Sequence, residues 1–274
     1  MVACMREYSD DIKARLELMG ELQSAARDIT IPLFQNGARV SNKADTGYDP
    51  VTEADEYAEA RLRDIIRSRF PDDAIIGEEF DDQPGTSDWE WTLDPIDGTR
   101  AFVAGVPVWT TLIAVSFLKK PILGLIDAAA LNVAFWGEPG FAYRVDENGK
   151  SEITTAPCSG LNQAILGCTE PMAIFNQGEF AAYKIIRSAT KFARLGLDAF
   201  GYGLVAQGKM DIIVESGLKP VDVRALIPVI EGAGGKITNW HGGGCEDGGQ
   251  VVAVGDPALL PELYTYLGRA MKPV

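Results

Sequence analysis

Two carboxylates three residues apart, Asp94 and Asp97, flank a proline in the segment Trp91-Thr92-Leu93-Asp94-Pro95-Ile96-Asp97-Gly98-Thr99, and a glycine and a hydroxyl follow them. Hard divalent cations such as Mg²⁺ take oxygen ligands, and two such ions sharing carboxylates can clamp both sides of a phosphoryl displacement. A helix starting at Gly98-Thr99 aims free backbone N–H groups at the same spot, where an anion is stabilised. Metal, phosphate and a positioned hydroxyl can thus be served from one short segment. The alternative is an ordinary Asp-Pro/Asp-Gly turn with solvated carboxylates.

Three further segments bear on that choice. Ile75-Ile76-Gly77-Glu78-Glu79-Phe80 reads as a short buried strand ending in two acids. Lys219-Pro220-Val221-Asp222 opens an apolar helix that ends at Glu231-Gly232-Ala233-Gly234-Gly235, and Asp49-Pro50-Val51-Thr52-Glu53-Ala54-Asp55 has the form D-x-V-T-x-x-D. In this order the four segments resemble the hallmarks of the inositol monophosphatase superfamily of metal-dependent phosphomonoesterases: a GEE segment, a DPIDGT segment and a distal Asp before a helix closing in AGG. The resemblance spans about residues 43 to 255.

Details lean toward the histidinol-phosphate phosphatase branch. Arg100-Ala101-Phe102 follows the DGT, Pro107-Val108-Trp109-Thr110-Thr111-Leu112-Ile113 is similar to that branch's PVW-x-TLI strand, and Lys219-Pro220-x-Asp222 with Glu231-Gly232-Ala233-Gly234-Gly235 resembles its KP-x-D and EGAGG. Two positions depart from the branch. Val221 stands where it usually has an aromatic, and Phe135, before Trp136, stands where it often has an arginine.

The resemblance implies a layered α/β/α/β/α sandwich of mixed α/β class, of the inositol monophosphatase/fructose-1,6-bisphosphatase type. It carries Glu78, Asp94, Asp97 and Asp222 over as metal ligands with the Ile96 carbonyl, for two or three Mg²⁺ ions per site. Asp94 would bridge two ions, Glu78 would hold the first, and Asp97 with Asp222 the second. Thr99 and Asp55 match the pair that orients the attacking water, and Gly98 and Thr99 would offer N–H groups to phosphate oxygens. Four carboxylates crowded together repel one another unless a cation is present. Asp55 has a second reading as a capping-box acid, and Glu79 is either a support behind the ligands or an exposed acid. Glu215 falls where the family places an acid that contacts the substrate. A second carboxylate at Asp198 favours a cationic leaving group such as histidinol, or simply caps the following helix. Arg100 either reaches a phosphate oxygen or pairs with a nearby acid.

The expected activity is therefore Mg²⁺-dependent hydrolysis of histidinol phosphate, a step of histidine biosynthesis. Hydrolysis of inositol phosphate or of a range of sugar phosphates is the alternative on the same scaffold. A non-catalytic metal-binding protein is the reading from another class, and the chain keeps every metal carboxylate and Thr99. A homodimer is the family expectation.

Composition fits such an enzyme. The chain has 274 residues, is 46% hydrophobic and 23% charged, and has a net charge of −14. That length suffices for one or two domains with a sizeable core. The acidity argues against nucleic acid, whose binding rests on basic phosphate contacts, and repels a free phosphate ester until bound cations reverse the local sign. Cys4, Cys158, Cys168 and Cys245 are widely spaced and the one histidine, His241, sits in a Gly-rich loop, so neither a thiolate-zinc site nor a Ser-His-Asp triad is expected. No apolar run has the length of a signal peptide or membrane span. With unpaired-looking cysteines, this leads us to expect a cytoplasmic protein without a membrane partner.

The positioning elements follow from periodicity and punctuation. Ile12, Leu16, Met19 and Leu22 recur at helical spacing over about 9–35. Thr52-x-x-Asp55 opens a helix that Phe70-Pro71 ends. Strands are expected at 74–77, 91–94, 107–117, 122–127, 133–136 and 141–145, with a tight hairpin turn at Asn148-Gly149. Beyond about 160, short strands and helices alternate: helices at 179–190, 198–207 and 222–231, strands at 191–195, 210–214 and 251–254, then a terminal helix. We expect an N-terminal α+β part over 1–150 with the GEE and DPIDGT segments, and a C-terminal α/β part over 151–274 with Asp222 and the substrate residues.

Overall fold

The computed structural model describes residues 9–42 and 50–268; Asp49 and Cys4 lie outside the described residues. The N-terminal half comprises α1 (Ser9–Asn36), β1 (Val40–Asn42), β2 (Pro50–Thr52), α2 (Glu53–Arg69), β3 (Ala74–Gly77), β4 (Trp89–Asp97), α3 (Thr99–Val103), β5 (Thr110–Phe117), β6 (Lys120–Ala128), β7 (Val133–Glu138), β8 (Phe141–Asp146) and β9 (Gly149–Glu152). Then follow β10 (Ile165–Cys168), α4 (Pro171–Ile174), α5 (Gln177–Ala189), β11 (Phe192–Leu195), α6 (Asp198–Ala206), β12 (Ile212–Leu218), α7 (Pro220–Val223), α8 (Leu226–Gly232), β13 (Lys236–Asn239), β14 (Gly249–Val254) and α9 (Leu260–Leu267).

Alternation along the strands builds five layers. β3 to β9 form a seven-stranded sheet in sequence order, antiparallel except for the β3–β4 pair. Successive residues of β5 face opposite sides. Ile113 and Val115 join Leu18, Met19 and Leu22 of α1 and Leu62 and Ile66 of α2 in one core. Leu112 and Ala114 join Tyr202 and Val205 of α6 and Leu226 and Val229 of α8 in another. The same helices cover Ile213, Val251 and Ala253 of a second sheet, ordered β11-β10-β12-β14-β13. The far face of that sheet packs Leu166, Ile212 and Val214 on Tyr183 and Ile186 of α5 and Leu260 and Leu263 of α9. The order is α1α2, seven strands, α6α8, five strands, α5α9: the expected α/β/α/β/α sandwich.

One helix expected at 222–231 is two. Pro228 has no N–H to give the Arg224 carbonyl, so a helix through this point lacks a rung; the chain instead turns at Arg224-Ala225 and restarts at Leu226, with Pro228 inside the first turn of α8. The seven-stranded sheet ends at Glu152 and the five-stranded one begins at Ile165, with α6 and α8 shared between the two sheets.

Candidate active site

The β3–β4 pair brings the first acids together because it is parallel: Gly77 pairs with Leu93, so as β3 ends Glu78 emerges beside Asp94. In an unbroken strand, residues three apart face opposite sides. Between the Asp94↔Leu112 and Asp97↔Thr110 pairs, however, β4 has one residue more than β5, a β-bulge at Pro95-Ile96. Pro95 has no N–H for the ladder, and its carbonyl accepts from Thr111 Oγ1 at 2.7 Å. The bulge re-aims the second acid, so that the charge of Asp222 acts on both Asp94 and Asp97. Gly98, at φ +80°, then turns the chain into α3, and a β-carbon there would lie 2.9 Å from the Asp198 carboxylate.

Glu78, Asp94 and Asp222 each present an oxygen, and these oxygens lie within 4.8 Å of one another. Asp222, in the first turn of α7, accepts the Lys219 backbone N–H at 2.6 Å. Burial drives the Asp94 carboxyl well above the ordinary carboxylate range, and the charges of Glu78, Asp97, Asp222 and Asp55 push it further. Burial also raises Asp222 to about 6; the Lys219 N–H bond restrains it and Glu78 adds to it. Three crowded carboxylates that offer only oxygen, with Asp94 buried among them, are the donor set of a hard divalent cation. Asp97 lies at the edge of this set. Its Oδ2 accepts from Ala199 N at 2.8 Å and from Thr110 Oγ1 at 3.2 Å, while burial and then Asp198 raise its pKa. The Ile96 carbonyl accepts the Thr99 hydroxyl at 3.1 Å.

Asp55 is buried as the N3 residue of α2, where it completes a capping box by accepting the Thr52 backbone N–H at 2.8 Å. It is also close enough to raise the Asp94 pKa. The structure therefore brings Asp55 to the acidic cluster, but Thr99 donates to Ile96 and not to Asp55.

Next to the cluster is a cavity of about 190 Å³ whose walls include Asp97, Asp198, Glu215, Asp222, Thr169 and Tyr202. Glu215 is buried and held from both sides: Oε1 accepts from Thr169 N at 2.9 Å and from the Thr169 hydroxyl, and Oε2 from Tyr202 Oη at 3.0 Å. Burial raises Glu215 to about 7 despite these donors. Asp198 opens α6 at φ +46°, a conformation that Asp tolerates better than most residues. Burial raises its pKa, opposed by the nearby Thr169 side chain and the Arg100 charge. Arg100 itself pairs with Glu170 at 3.2 Å on the surface.

The sequence does not single out Thr169 or Tyr202. Tyr202 carries a readable signal, standing four residues after Asp198 on one helix face; Thr169 carries none. Glu79 is half-buried and its backbone N–H donates to Glu59. His241 is exposed, and Cys158, Cys168 and Cys245 are free thiols. Phe135 is fully buried against Phe200, and Gly203 leaves room for its ring: a β-carbon there would come within 2.3 Å. Val221 is buried too. Among the described residues, no helix is long and apolar enough to cross a membrane.

This sandwich with an acidic cluster at a bulged strand end is the architecture of a phosphoric monoester hydrolase. The inositol monophosphatase family profile matches residues 13–271, and the chain belongs to that family. It is 41% identical over 239 residues to the chloroplastic bifunctional phosphatase IMPL2 of Arabidopsis thaliana, a match covering 86% of this chain and 67% of that one. It is 33% identical over 228 residues to a histidinol-phosphatase of Chlorobaculum parvum, covering 83% and 86%. An inositol monophosphatase from Zymomonas mobilis has the same fold, with a TM-score of 0.81 and 34% identity over 95% of this chain and 98% of that one.

Proposed function

We propose that the chain hydrolyses histidinol phosphate to histidinol and phosphate. One observation carries the choice of substrate: the cavity beside the metal-ligand cluster is walled by two further carboxylates, Asp198 and Glu215, which suits an ammonium-bearing leaving group better than a neutral polyol. The histidinol-phosphatases among its relatives support the same reading.

Glu78, Asp94, Asp97, Asp222 and the Ile96 carbonyl would hold two or three Mg²⁺ ions. Bound there, such ions lower the pKa of water toward neutrality and offset the phosphate charge. The protein's own groups do the rest. The Gly98 and Thr99 N–H groups hold phosphate oxygens, with Arg100 at the rim. Thr99 and Asp55 orient the attacking water, for which the Thr99 hydroxyl must leave the Ile96 carbonyl. Glu215, fixed by Thr169 and Tyr202, and Asp198 grip the leaving group. The expected assembly is a homodimer in the cytoplasm.

A broader sugar- or inositol-phosphate specificity is favoured by Phe135, which buries an apolar ring where the branch often has an arginine. Phosphate release from histidinol phosphate and from myo-inositol 1-phosphate, each with Mg²⁺ and with EDTA, separates the two. Preference for histidinol phosphate in kcat/KM supports the proposal; equal turnover or a preference for the inositol ester overturns it.

A further inference from the structure

We infer that the buried Glu59–Arg63 ion pair of α2 is a positioning device for Glu78, holding the segment after β3 so that this ligand carboxylate stands ready before any cation arrives. The pair is one helical turn apart and almost wholly buried, with Glu59 0% and Arg63 3% exposed and Arg63 Nε 2.7 Å from Glu59 Oε1. A buried ion pair is poor evidence of stabilisation, because apolar residues of the same volume often do as well. This pair does what apolar residues cannot. The other carboxylate oxygen, Oε2, accepts the Glu79 backbone N–H at 2.8 Å, and Oε1 also accepts that of Phe80 at 3.3 Å. The guanidinium donates to the Phe80 carbonyl at 3.0 Å and the Asp81 carbonyl at 3.1 Å. Both partners thus direct their hydrogen bonds to the backbone that immediately follows Glu78.

Gly77, just before Glu78, shows how closely the pair supports this segment. A β-carbon at Gly77 would lie 2.0 Å from Glu59 Oε1 and 2.6 Å from Arg63 Nη2. The glycine is therefore set by space: the ion pair packs against the backbone before Glu78 and hydrogen-bonds the backbone after it. Carboxylates that repel one another do not hold a common geometry unaided, so support from behind a ligand commonly sets metal affinity.

The inference rests on the reading of Glu78 as a metal ligand, and Mn²⁺ binding followed by electron paramagnetic resonance separates the two. If the wild-type protein binds no Mn²⁺, the reading of the site fails. If it binds, Glu59→Gln is expected to weaken binding about tenfold or more, in the range typical of groups supporting a ligand. The Mg²⁺ needed for half-maximal phosphate release should rise by the same factor, with the KM for the ester at saturating Mg²⁺ little changed. A folded variant with wild-type Mn²⁺ affinity overturns the inference. Because Glu59→Gln leaves Arg63 buried without its partner, the double variant Glu59→Leu with Arg63→Met is measured beside it, with the same expectation. Hydrogen exchange on the metal-free wild-type protein needs no variant: the Glu79 and Phe80 amides should be protected there, and fast exchange at both would overturn the inference.

Discussion

Lys219 Nζ lies 2.9 Å from Glu78 Oε1 while the backbone N–H of the same residue donates to Asp222 at 2.6 Å, so one residue touches two of the three clustered carboxylates. The two contacts differ in kind. The backbone bond fixes Asp222 through the turn that starts α7, whereas the ammonium, on a half-exposed side chain, sits on an oxygen that the metal reading assigns to a cation. Lys219→Met keeps the first contact and removes the second. An exposed ion pair is worth up to about 1 kcal/mol, so the Mg²⁺ concentration for half-maximal activity should fall, by up to about fivefold. A Mg²⁺ titration of phosphate release checks this; a higher requirement would show that the ammonium holds the ligands together instead of competing for one.

Asp94 stands where the charges of Glu78, Asp97, Asp222 and Asp55 all meet. Asp94→Asn keeps an acceptor for the Ile96 N–H, which Asp94 Oδ1 binds at 3.0 Å, and removes the charge. Mg²⁺-dependent turnover should drop by about a hundred- to a thousandfold, the loss expected when a group central to charge stabilisation goes. The metal-free variant should also melt higher than the metal-free wild type at pH 8, because one buried repelling charge is gone. Calorimetry beside the activity assay reads both; full activity would remove Asp94 from the metal site.

The cluster also fixes the pH dependence of stability. Asp222 is raised to about 6 and Glu215 to about 7, in both cases first by burial. A carboxyl with a raised folded pKa keeps its proton in the native chain where the unfolded chain has released it. The metal-free protein should therefore lose stability as pH rises from about 4 through 6 and 7, each carboxyl contributing at most about 1.4 kcal/mol per pH unit. Saturating Mg²⁺ favours the ionised ligands and should flatten the fall at Asp222. Thermal midpoints at pH 5, 6, 7 and 8, with and without Mg²⁺, test this; a metal-free protein that gains stability over this range would contradict it.

The ligand acids are legible in the sequence because they sit in short segments whose punctuation is explicit. Asp94-Pro95-Ile96-Asp97-Gly98 announces a stiff turn with two acids, and the bulge that aims them follows from the missing N–H of Pro95. The supports are not legible. Glu59 and Arg63 stand at i and i+4 on a helix, a spacing that ordinarily marks a solvated surface pair, and only the folded chain buries them, packed closely on Gly77. Lys236–Asn239 is too short and too polar at its ends to stand out as a strand, and its place is set by pairing with β14. The sequence leaves open whether Arg100 meets an acid, because its partner Glu170 comes from the other sheet's loops, 70 residues on.

Asp198 offers the sharpest test of substrate. Its φ of +46° makes Asp198→Ala ambiguous, since alanine is strained there by about 1 kcal/mol or more. Asn tolerates the left-handed region, so Asp198→Asn alters the charge and little else. The side chain lines the cavity with Glu215, and its carboxylate lies against Gly98 at the phosphate-side turn. Removing one of two carboxylates facing an ammonium should lower kcat/KM for histidinol phosphate by about 10- to 100-fold, the range of a charge-assisted hydrogen bond. Turnover of myo-inositol 1-phosphate, which has no cation in its leaving group, should hold or rise. The ratio of the two kcat/KM values is the measurement. An unchanged ratio would make Asp198 a helix-opening residue that happens to border the cavity, and would leave Glu215 alone to recognise the leaving group.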